Sequence, residues 1–193
     1  MRELTYFVAV SLDGYIAAPD DTFDAFPMEG EHIDWIFAEW TDTLPGVGLE
    51  MVGLKADNSR FDTVVMGWGT YAAGFPHGVT DPYPHLEQYV VTHRPDRELP
   101  GDPGAITFTD EDPVALVRRL KQTDGSGIWL CGGGQLASTL VDEIDRLVLK
   151  VNPLLLGDGK RLFAQRPYAV QGFELTESRP FASGVIANQY VRR

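Results

Sequence analysis

Glycines cluster at two places in the sequence where a short apolar run ends. Thr63–Met66 is followed by Gly67-Trp68-Gly69-Thr70-Tyr71, and Ile128–Cys131 is followed by Gly132-Gly133-Gly134. Glycine lets a ligand approach the backbone, and the start of a helix offers unpaired N–H groups to an anion. Each turn is therefore predicted to hold a phosphate, with the Thr70 hydroxyl as an added donor. The alternative is that the glycines only turn the chain. Taken alone, the first turn favours this alternative, whereas three glycines in a row favour a ligand at the second turn.

A third polar segment, Thr92-His93-Arg94, stands at the end of the apolar run Tyr89–Thr92. The hydroxyl of Thr92 and the guanidinium of Arg94 are suited to bind the ribose phosphate that distinguishes NADP from NAD. The alternative interpretation is a surface arginine in an ordinary turn. Taken alone, this segment favours the surface arginine in an ordinary turn.

The sequence contains no complete copy of two common nucleotide-binding motifs. Gly132, Gly134 and Ala137 fit the spacing G-x-G-x-x-A, but the acidic residue expected about 20 residues later is missing. That region reads Lys150-Val151-Asn152-Pro153. Gly157-Asp158-Gly159-Lys160 is followed by an arginine, where a P-loop has serine or threonine. Any nucleotide site is therefore of another kind.

The best candidate for acid–base chemistry is Asp13, which follows the apolar run Leu4–Val10. Open α/β sheets bind ligands at the carboxyl ends of their strands, so Asp13 is predicted to take part in proton transfer. The alternative is that Asp13-Gly14 is only a turn. The histidines lack metal-ligand spacing, and Cys131 is predicted to be a buried, inert thiol. No metal site is expected.

These residues need elements to position them, and the pattern of apolar residues predicts strands alternating with helices. The predicted strands are Leu4–Val10, Thr63–Met66, Tyr89–Thr92, Ile128–Cys131 and Leu147–Val151, with an antiparallel hairpin of Phe173–Thr176 and Val185–Val191 across Pro180–Gly184. The predicted helices are Glu31–Trp40, a helix capped by Asp112 with Pro113 at its first position, a short helix after Gly134, and a weakly helical Gly46–Arg60. Such alternation predicts one α/β domain over residues 1–193, with a mixed, mostly parallel sheet.

The charge composition of the chain argues against some classes of binding partner. Among 193 residues, 28 are acidic and 16 are lysine or arginine, which gives a formal net charge of −12. Such a charge argues against nucleic acid or an anionic membrane as the main partner, because both repel an acidic protein. No stretch reads as a signal peptide or a membrane span, so a cytoplasmic location and a small-molecule partner are expected. A single cysteine excludes a disulfide framework.

Five segments, in this order along nearly the whole chain, resemble the dihydrofolate reductase-like superfamily. More narrowly, they resemble the reductase domain of riboflavin biosynthesis, known as the bifunctional deaminase-reductase C-terminal domain family. The segments are Ser11-Leu12-Asp13-Gly14-Tyr15-Ile16, Met66-Gly67-Trp68-Gly69-Thr70-Tyr71, Val91-Thr92-His93-Arg94, Cys131-Gly132-Gly133-Gly134 and Leu155-Leu156-Gly157-Asp158-Gly159-Lys160-Arg161-Leu162-Phe163. The resemblance implies a three-layer αβα fold. It also implies a homodimer, because members of the family commonly dimerise through their sheets.

The resemblance also implies NADPH as the hydride donor. By position, Gly67 and Thr70 would hold phosphate, and Thr92, His93 and Arg94 would lie near the adenosine ribose phosphate. The residues that would run along the pyrophosphate and nicotinamide are Gly132, Gly133, Gly134, Gln135 and Leu136. The implied reaction transfers a hydride to a small pyrimidine- or pterin-like substrate, and in this it resembles the reactions of 5-amino-6-(5-phosphoribosylamino)uracil reductase and dihydrofolate reductase. The alternative is a non-catalytic, dimeric nucleotide-binding protein on the same scaffold.

Substrate contacts are implied at two places. Ser11 and Asp13 lie in the first segment, and Gly159 and Lys160 in the last, where Lys160 or Arg161 would bind a substrate phosphate. Dihydrofolate reductases also carry an acidic residue on the helix after the first loop. In this chain Asp34 is the second candidate for a catalytic role beside Asp13, with Glu31 as the alternative, and a solvated helix face is the favoured explanation of both acidic residues. Trp35 and Trp68 are candidates for stacking on a flat ring.

Overall fold

The computed structural model describes residues 1–193. Its strands are β1 (Leu4–Ser11), β2 (Tyr15–Ala17), β3 (Phe61–Gly67), β4 (Glu87–Val91), β5 (Ile106–Thr109), β6 (Gly127–Gly132), β7 (Arg146–Asn152), β8 (Lys160–Arg161), β9 (Phe173–Pro180) and β10 (Ile186–Arg192). Its α-helices are α1 (Glu31–Glu39), α2 (Gly46–Val52), α3 (Trp68–Ala72), α4 (Pro113–Lys121) and α5 (Gly134–Thr139), and two 3₁₀ turns cover Thr41–Thr43 and Phe75–His77.

Eight strands form one sheet in the order β5-β4-β3-β6-β1-β7-β10-β9. The first six in this order are mutually parallel, while β10 pairs antiparallel with both β7 and β9. The predicted mixed, mostly parallel sheet with a C-terminal antiparallel hairpin is therefore confirmed. Because six strands run the same way, their carboxyl ends share one edge of the sheet, and the glycine turns follow two of those ends.

Apolar side chains cover both faces of the sheet, which gives the three layers expected. On one face α1 packs through Trp35 and Ile36 into a core that includes Phe7 and Val148. On the other face α4 and α5 cover a second core that includes Tyr6 and Leu130. The α4 N-terminus is built as predicted, since the Asp112 carboxylate accepts a hydrogen bond from the Ala115 N–H.

Two details differ from the sequence prediction. The helix expected over Gly46–Arg60 ends at Val52, because Gly53 adopts a left-handed conformation at φ +68° and the chain turns there. The strands β2, β5 and β8 were not predicted, and the first and last of them pair only with each other. None of the helices has the length and apolar character needed to cross a membrane.

Candidate active site

The two glycine turns lie side by side at the carboxyl edge of the sheet. Strands β3 and β6 are parallel neighbours, and Met66 pairs with Gly132. A Cβ atom built on Gly67 would lie 3.8 Å from the Gly132 carbonyl oxygen and from the Gly133 nitrogen. One built on Gly132 would lie 3.2 Å from the Thr70 hydroxyl. Gly67, Gly69, Thr70, Gly132 and Gly133 thus form one continuous surface, here named the glycine cradle.

The glycine cradle is open on its outer side. A Cβ atom on Gly69 would meet no atom within 4 Å. The Thr70 hydroxyl faces the second turn, 3.5 Å from a Cβ position on Gly133, and makes no hydrogen bond within the chain. Gly132 has φ +150° and is joined to Gly133 by a cis peptide bond. The surface therefore offers the unpaired Thr70 hydroxyl, with room for a ligand beside the exposed Gly69.

The next residues of the second turn are engaged by the protein itself. A Cβ atom on Gly134 would overlap the Arg161 carbonyl oxygen, so glycine is needed here for chain packing. The Leu136 side chain is buried in the core beneath α5, whereas Gln135 is exposed. Any contact of Gly134 and Leu136 with a cofactor is therefore confined to backbone atoms, and Gln135 alone presents a side chain.

The end of β4 carries two arginines beside the first turn. Thr92 is buried, and its hydroxyl accepts a hydrogen bond from the Arg94 N–H at 3.3 Å, so it shapes the turn. His93 and Arg94 are exposed. The Cζ atom of Arg97 lies 3.9 Å from the centre of the Trp68 ring, and its Nε atom is buried without a hydrogen-bond partner.

Neither Arg94 nor Arg97 forms an ion pair, although acidic residues outnumber basic ones in this chain. A buried donor without a hydrogen-bond partner is costly to the protein, and a guanidinium is well suited to bind an anion. Sequence analysis did not identify Arg97. The available signal was its place three residues after Arg94 in the same turn. Because Arg97 covers the Trp68 ring, that face of the indole is not free to stack on a substrate.

Asp13 lies at the same edge, where it fixes two loops. Its carboxylate accepts hydrogen bonds from the Ser11 hydroxyl at 2.5 Å, from Gly157 N–H at 2.7 Å and from Leu156 N–H at 3.2 Å. These bonds, above all that from Ser11, lower the pKa of Asp13. Asp13 is therefore ionised at neutral pH, which makes it a poor proton donor. Ser11 in turn accepts a hydrogen bond from Tyr15 N–H, so both residues hold the first loop in place.

The late segment, residues 155–163, packs against the first loop and against Gly134, the residue that follows the glycine cradle. Its strand β8 pairs with β2, the Leu162 N–H donates to the Gly14 carbonyl, and the Gly134 carbonyl accepts from Ala164 N–H just beyond it. A Cβ atom on Gly159 would overlap the Ala17 carbonyl oxygen, so Gly159 is required for this pairing. Lys160 forms an ion pair with Asp21 at 3.3 Å. A substrate phosphate would therefore have to share the Lys160 ammonium with this carboxylate.

Asp34 lies elsewhere. It is exposed on α1 and lines a groove of about 500 Å³ whose lining includes Glu31, Glu39 and Arg179 but no residue of the glycine cradle. Glu39 and Arg179 form an ion pair at 2.7 Å. The structure thus separates Asp34 from the cradle that it was expected to serve. Trp35 is buried in the core and has no free face for a ring. No cluster of three or more potential metal ligands occurs.

We expect Asp13→Ala to lower Tm at pH 7, because three hydrogen bonds between the first loop and the late segment are lost. A carboxylate whose pKa is lowered on folding stabilises the protein above its ordinary pKa of 3.8, and this contribution is lost as the pH falls. The difference in Tm between the two proteins should therefore shrink below about pH 4. Thermal unfolding from pH 3 to pH 7 measures it, with the exposed Asp34→Ala as matched control. A Tm difference independent of pH would contradict the anchoring role.

Comparison with known proteins adds three observations. The model of the RibD C-terminal domain matches residues 2–187. The protein YwjB of Bacillus subtilis (strain 168) is 33% identical over 164 residues, which cover 84% of this chain and 83% of YwjB. Two solved structures share the fold at low sequence identity.

The first is a Shewanella sp. PV-4 protein whose name refers to riboflavin biosynthesis. It has a TM-score of 0.71 and 22% identity, and the alignment covers 100% of this chain and 99% of the other. The second is dihydrofolate reductase from Enterococcus faecalis in complex with NADP(H). It has a TM-score of 0.64 and 16% identity, with 99% of this chain and 96% of the other covered. Both are similar to this chain in fold over its full length.

Proposed function

The chain belongs to the RibD C-terminal domain family, and on this premise we propose that it is an NADPH-dependent reductase. The reaction would transfer a hydride to a small heteroaromatic ring of the pyrimidine or pterin type. The observation that carries the proposal is the contact of two glycine turns at the tips of neighbouring parallel strands. A dinucleotide has two bridging phosphates and two bases to be held, and such a paired backbone surface is suited to it.

The residues at this edge fit the cofactor chemically. Gly67 and Gly69 leave space where side chains would stand, and Thr70 offers an unused hydroxyl. Arg94 and Arg97 supply the unpaired positive charge that a ribose phosphate requires. When bound, the dinucleotide supplies a hydride from its nicotinamide ring. The protein's part is to hold the phosphates, to orient the ring against the glycine cradle, and to exclude water with the late segment.

One observation favours the alternative of a non-catalytic nucleotide-binding protein. Neither acidic residue predicted from the sequence presents a protonated carboxyl group to the glycine cradle, since Asp13 is anchored by three hydrogen bonds and Asp34 lies in a separate groove. Incubation with NADPH and a panel of pterins, pyrimidines and quinones separates the two functions. Oxidation of NADPH by one member of the panel supports the reductase, and binding without any turnover supports the alternative.

Calorimetric titration with NADPH tests the proposal, and Gly69→Ala localises the site. Alanine at position 69 contacts nothing in the protein and suits a helix better than glycine, so stability should hold or rise by about 0.5 kcal/mol. A phosphate at this position would be crowded by the added methyl group, and we expect about tenfold weaker NADPH binding, about 1.4 kcal/mol.

Gly48→Ala is the matched control for this substitution. It also lies in a helix, where an added Cβ atom meets only ordinary contacts with Pro45, and it is outside the glycine cradle. We expect its affinity for NADPH to equal that of the wild type. Failure of the wild type to bind NADPH would refute the proposed cofactor, and equal affinity of Gly69→Ala and wild type would place the cofactor elsewhere.

A further inference from the structure

Lys150 lies in a position that neither the glycine cradle nor the acidic candidates explain. It stands on β7, where it pairs with Ala9 of β1 and with Ala187 of β10. Val148 and Ala187 belong to the core under α1, and alternate residues of a strand share a face, so Lys150 points to the same side. Its position is two residues beyond Val148 toward the carboxyl edge, where the glycine cradle lies.

The Lys150 ammonium is half-buried and has no polar partner. The structure gives it no ion pair and no hydrogen bond through its side chain, and its Nζ atom lies 4.2 Å from the centre of the Phe7 ring. Trp40 stacks on Phe7 with ring centres 4.6 Å apart, so the ammonium and the indole occupy opposite faces. A desolvated charge held only by an aromatic ring lacks the partner that normally compensates it.

The titratable neighbours of Lys150 do not supply that partner. Cys131 on β6 is the titratable group whose ionised form would act on Lys150, and Tyr83 lies against Cys131 with 3.6 Å between hydroxyl oxygen and sulfur. Burial raises the pKa of Cys131 to about 11 and that of Tyr83 well above its ordinary value, so both are neutral at pH 7. Burial lowers the pKa of Lys150 to about 8. An ammonium with such a pKa releases its proton readily near neutral pH.

We propose that Lys150 binds the heteroaromatic substrate and donates the proton that its reduction requires, an inference that rests on the proposed function. A C=N or C=O bond of the ring accepts a hydride at carbon from the reduced nicotinamide, which is oxidised. The π electrons of that bond move to the heteroatom, and one Nζ–H bond of Lys150 breaks as its proton goes there. The neutral amine then regains a proton from water. Lys150 thus takes the role that the sequence suggested for Asp13 or Asp34.

The first test is independent of catalysis. Lys55, Lys121, Lys150 and Lys160 are the lysines of the chain, and reductive methylation with ¹³C-formaldehyde gives each a methyl signal in NMR spectra. Loss of one signal in Lys150→Met assigns it. We expect that signal to titrate near pH 8 and to shift to higher pH when 5-aminouracil or dihydropterin is added, because a ring carbonyl stabilises the charged form. If neither 5-aminouracil nor dihydropterin changes the pH at which the Lys150 signal titrates, the proposal is wrong.

The second test uses turnover of whichever ring the panel identifies. Lys150→Met should lower kcat/KM about 100-fold, while the Kd for NADPH stays within about twofold. Lys150→Arg keeps the positive charge but cannot release a proton, so it should have the KM of the wild type and the low kcat of Lys150→Met. The wild type should lose activity above about pH 8, where Lys150 loses its proton, and Lys150→Arg should not show this loss. The exposed Lys55→Met is the matched control and should behave as wild type.

The outcomes separate the two proposals. If NADPH binds and the ring is reduced, but Lys150→Met retains kcat, KM and the pH profile, the role of Lys150 is wrong and the reductase stands. If NADPH does not bind, the proposed function fails. The NMR titration then still decides whether Lys150 binds a heteroaromatic ring.

Discussion

Replacement of Arg97 by alanine is expected to weaken NADPH binding about 100-fold and NADH binding less than about threefold. The guanidinium is fixed over Trp68, its Nε atom is buried without a partner, and no carboxylate neutralises it. A phosphate on the adenosine ribose would supply the missing acceptor, and a charge-assisted bond in a partly buried site contributes about 1.5–3 kcal/mol. NADH lacks that phosphate and cannot use the interaction.

Three further variants sharpen this measurement. Arg94 is exposed, so Arg94→Ala should cost NADPH less than Arg97→Ala does. Arg97→Lys keeps the charge without the flat stack on the indole and should fall between wild type and alanine. Arg166→Ala removes an exposed arginine that bonds only to the Ala169 carbonyl, and it should leave both affinities unchanged. If Arg97→Ala lowers the affinities for NADPH and NADH by the same factor, Arg97 supports the loop and does not bind the ribose phosphate.

The largest effect on stability is expected from Gly134→Ala. The added methyl group would overlap the Arg161 carbonyl oxygen. That oxygen belongs to backbone held by the β2–β8 pairing and by the bond from Leu162 N–H to the Gly14 carbonyl, so it has little freedom to move. Overpacking against a fixed backbone costs about 3 kcal/mol, which in a chain of this length lowers Tm by about 10 °C.

Urea denaturation of Gly134→Ala beside Gly69→Ala makes a matched comparison. Both substitutions add one methyl group to a glycine in a short helix after a strand, yet opposite signs are expected, because position 69 is open and position 134 is filled. A free energy of unfolding within about 0.5 kcal/mol of wild type in Gly134→Ala would show that the late segment moves aside easily. The late segment would then be a poor barrier to water.

The adjacency of the glycine turns was predictable, because parallel strands bring their carboxyl ends to one edge and each turn directly follows a buried apolar run. The strands β2 and β8 were not predictable by the same means. They contain three and two residues, which is too few for a period, and Tyr15 finds its partner Arg161 far along the chain. Local sequence carries no record of such a pairing.

The alternation over Leu147–Val151 predicted a strand but not the surroundings of Lys150. Alternation of apolar and polar residues is typical of a strand with one solvent-exposed face, and Lys150 falls on the polar side of that pattern. Helices cover both faces of this sheet, so the polar side of the strand is also enclosed and Lys150 is half-buried. For Arg97 the missing information was the tertiary contact with Trp68, which no spacing along the chain encodes.

The first strand sits in the middle of the sheet, between β6 and β7, where Leu4 pairs with Ile128 and Thr5 with Arg146. During synthesis on the ribosome, β1 emerges first and must wait until about residue 152 has left the exit tunnel before both neighbours are available. Completion of the sheet around β1 is thereby postponed until both neighbouring strands have been synthesised, and β1 has no partner for its two edges until then. Chaperones that capture such segments have a long window in which to act on this protein.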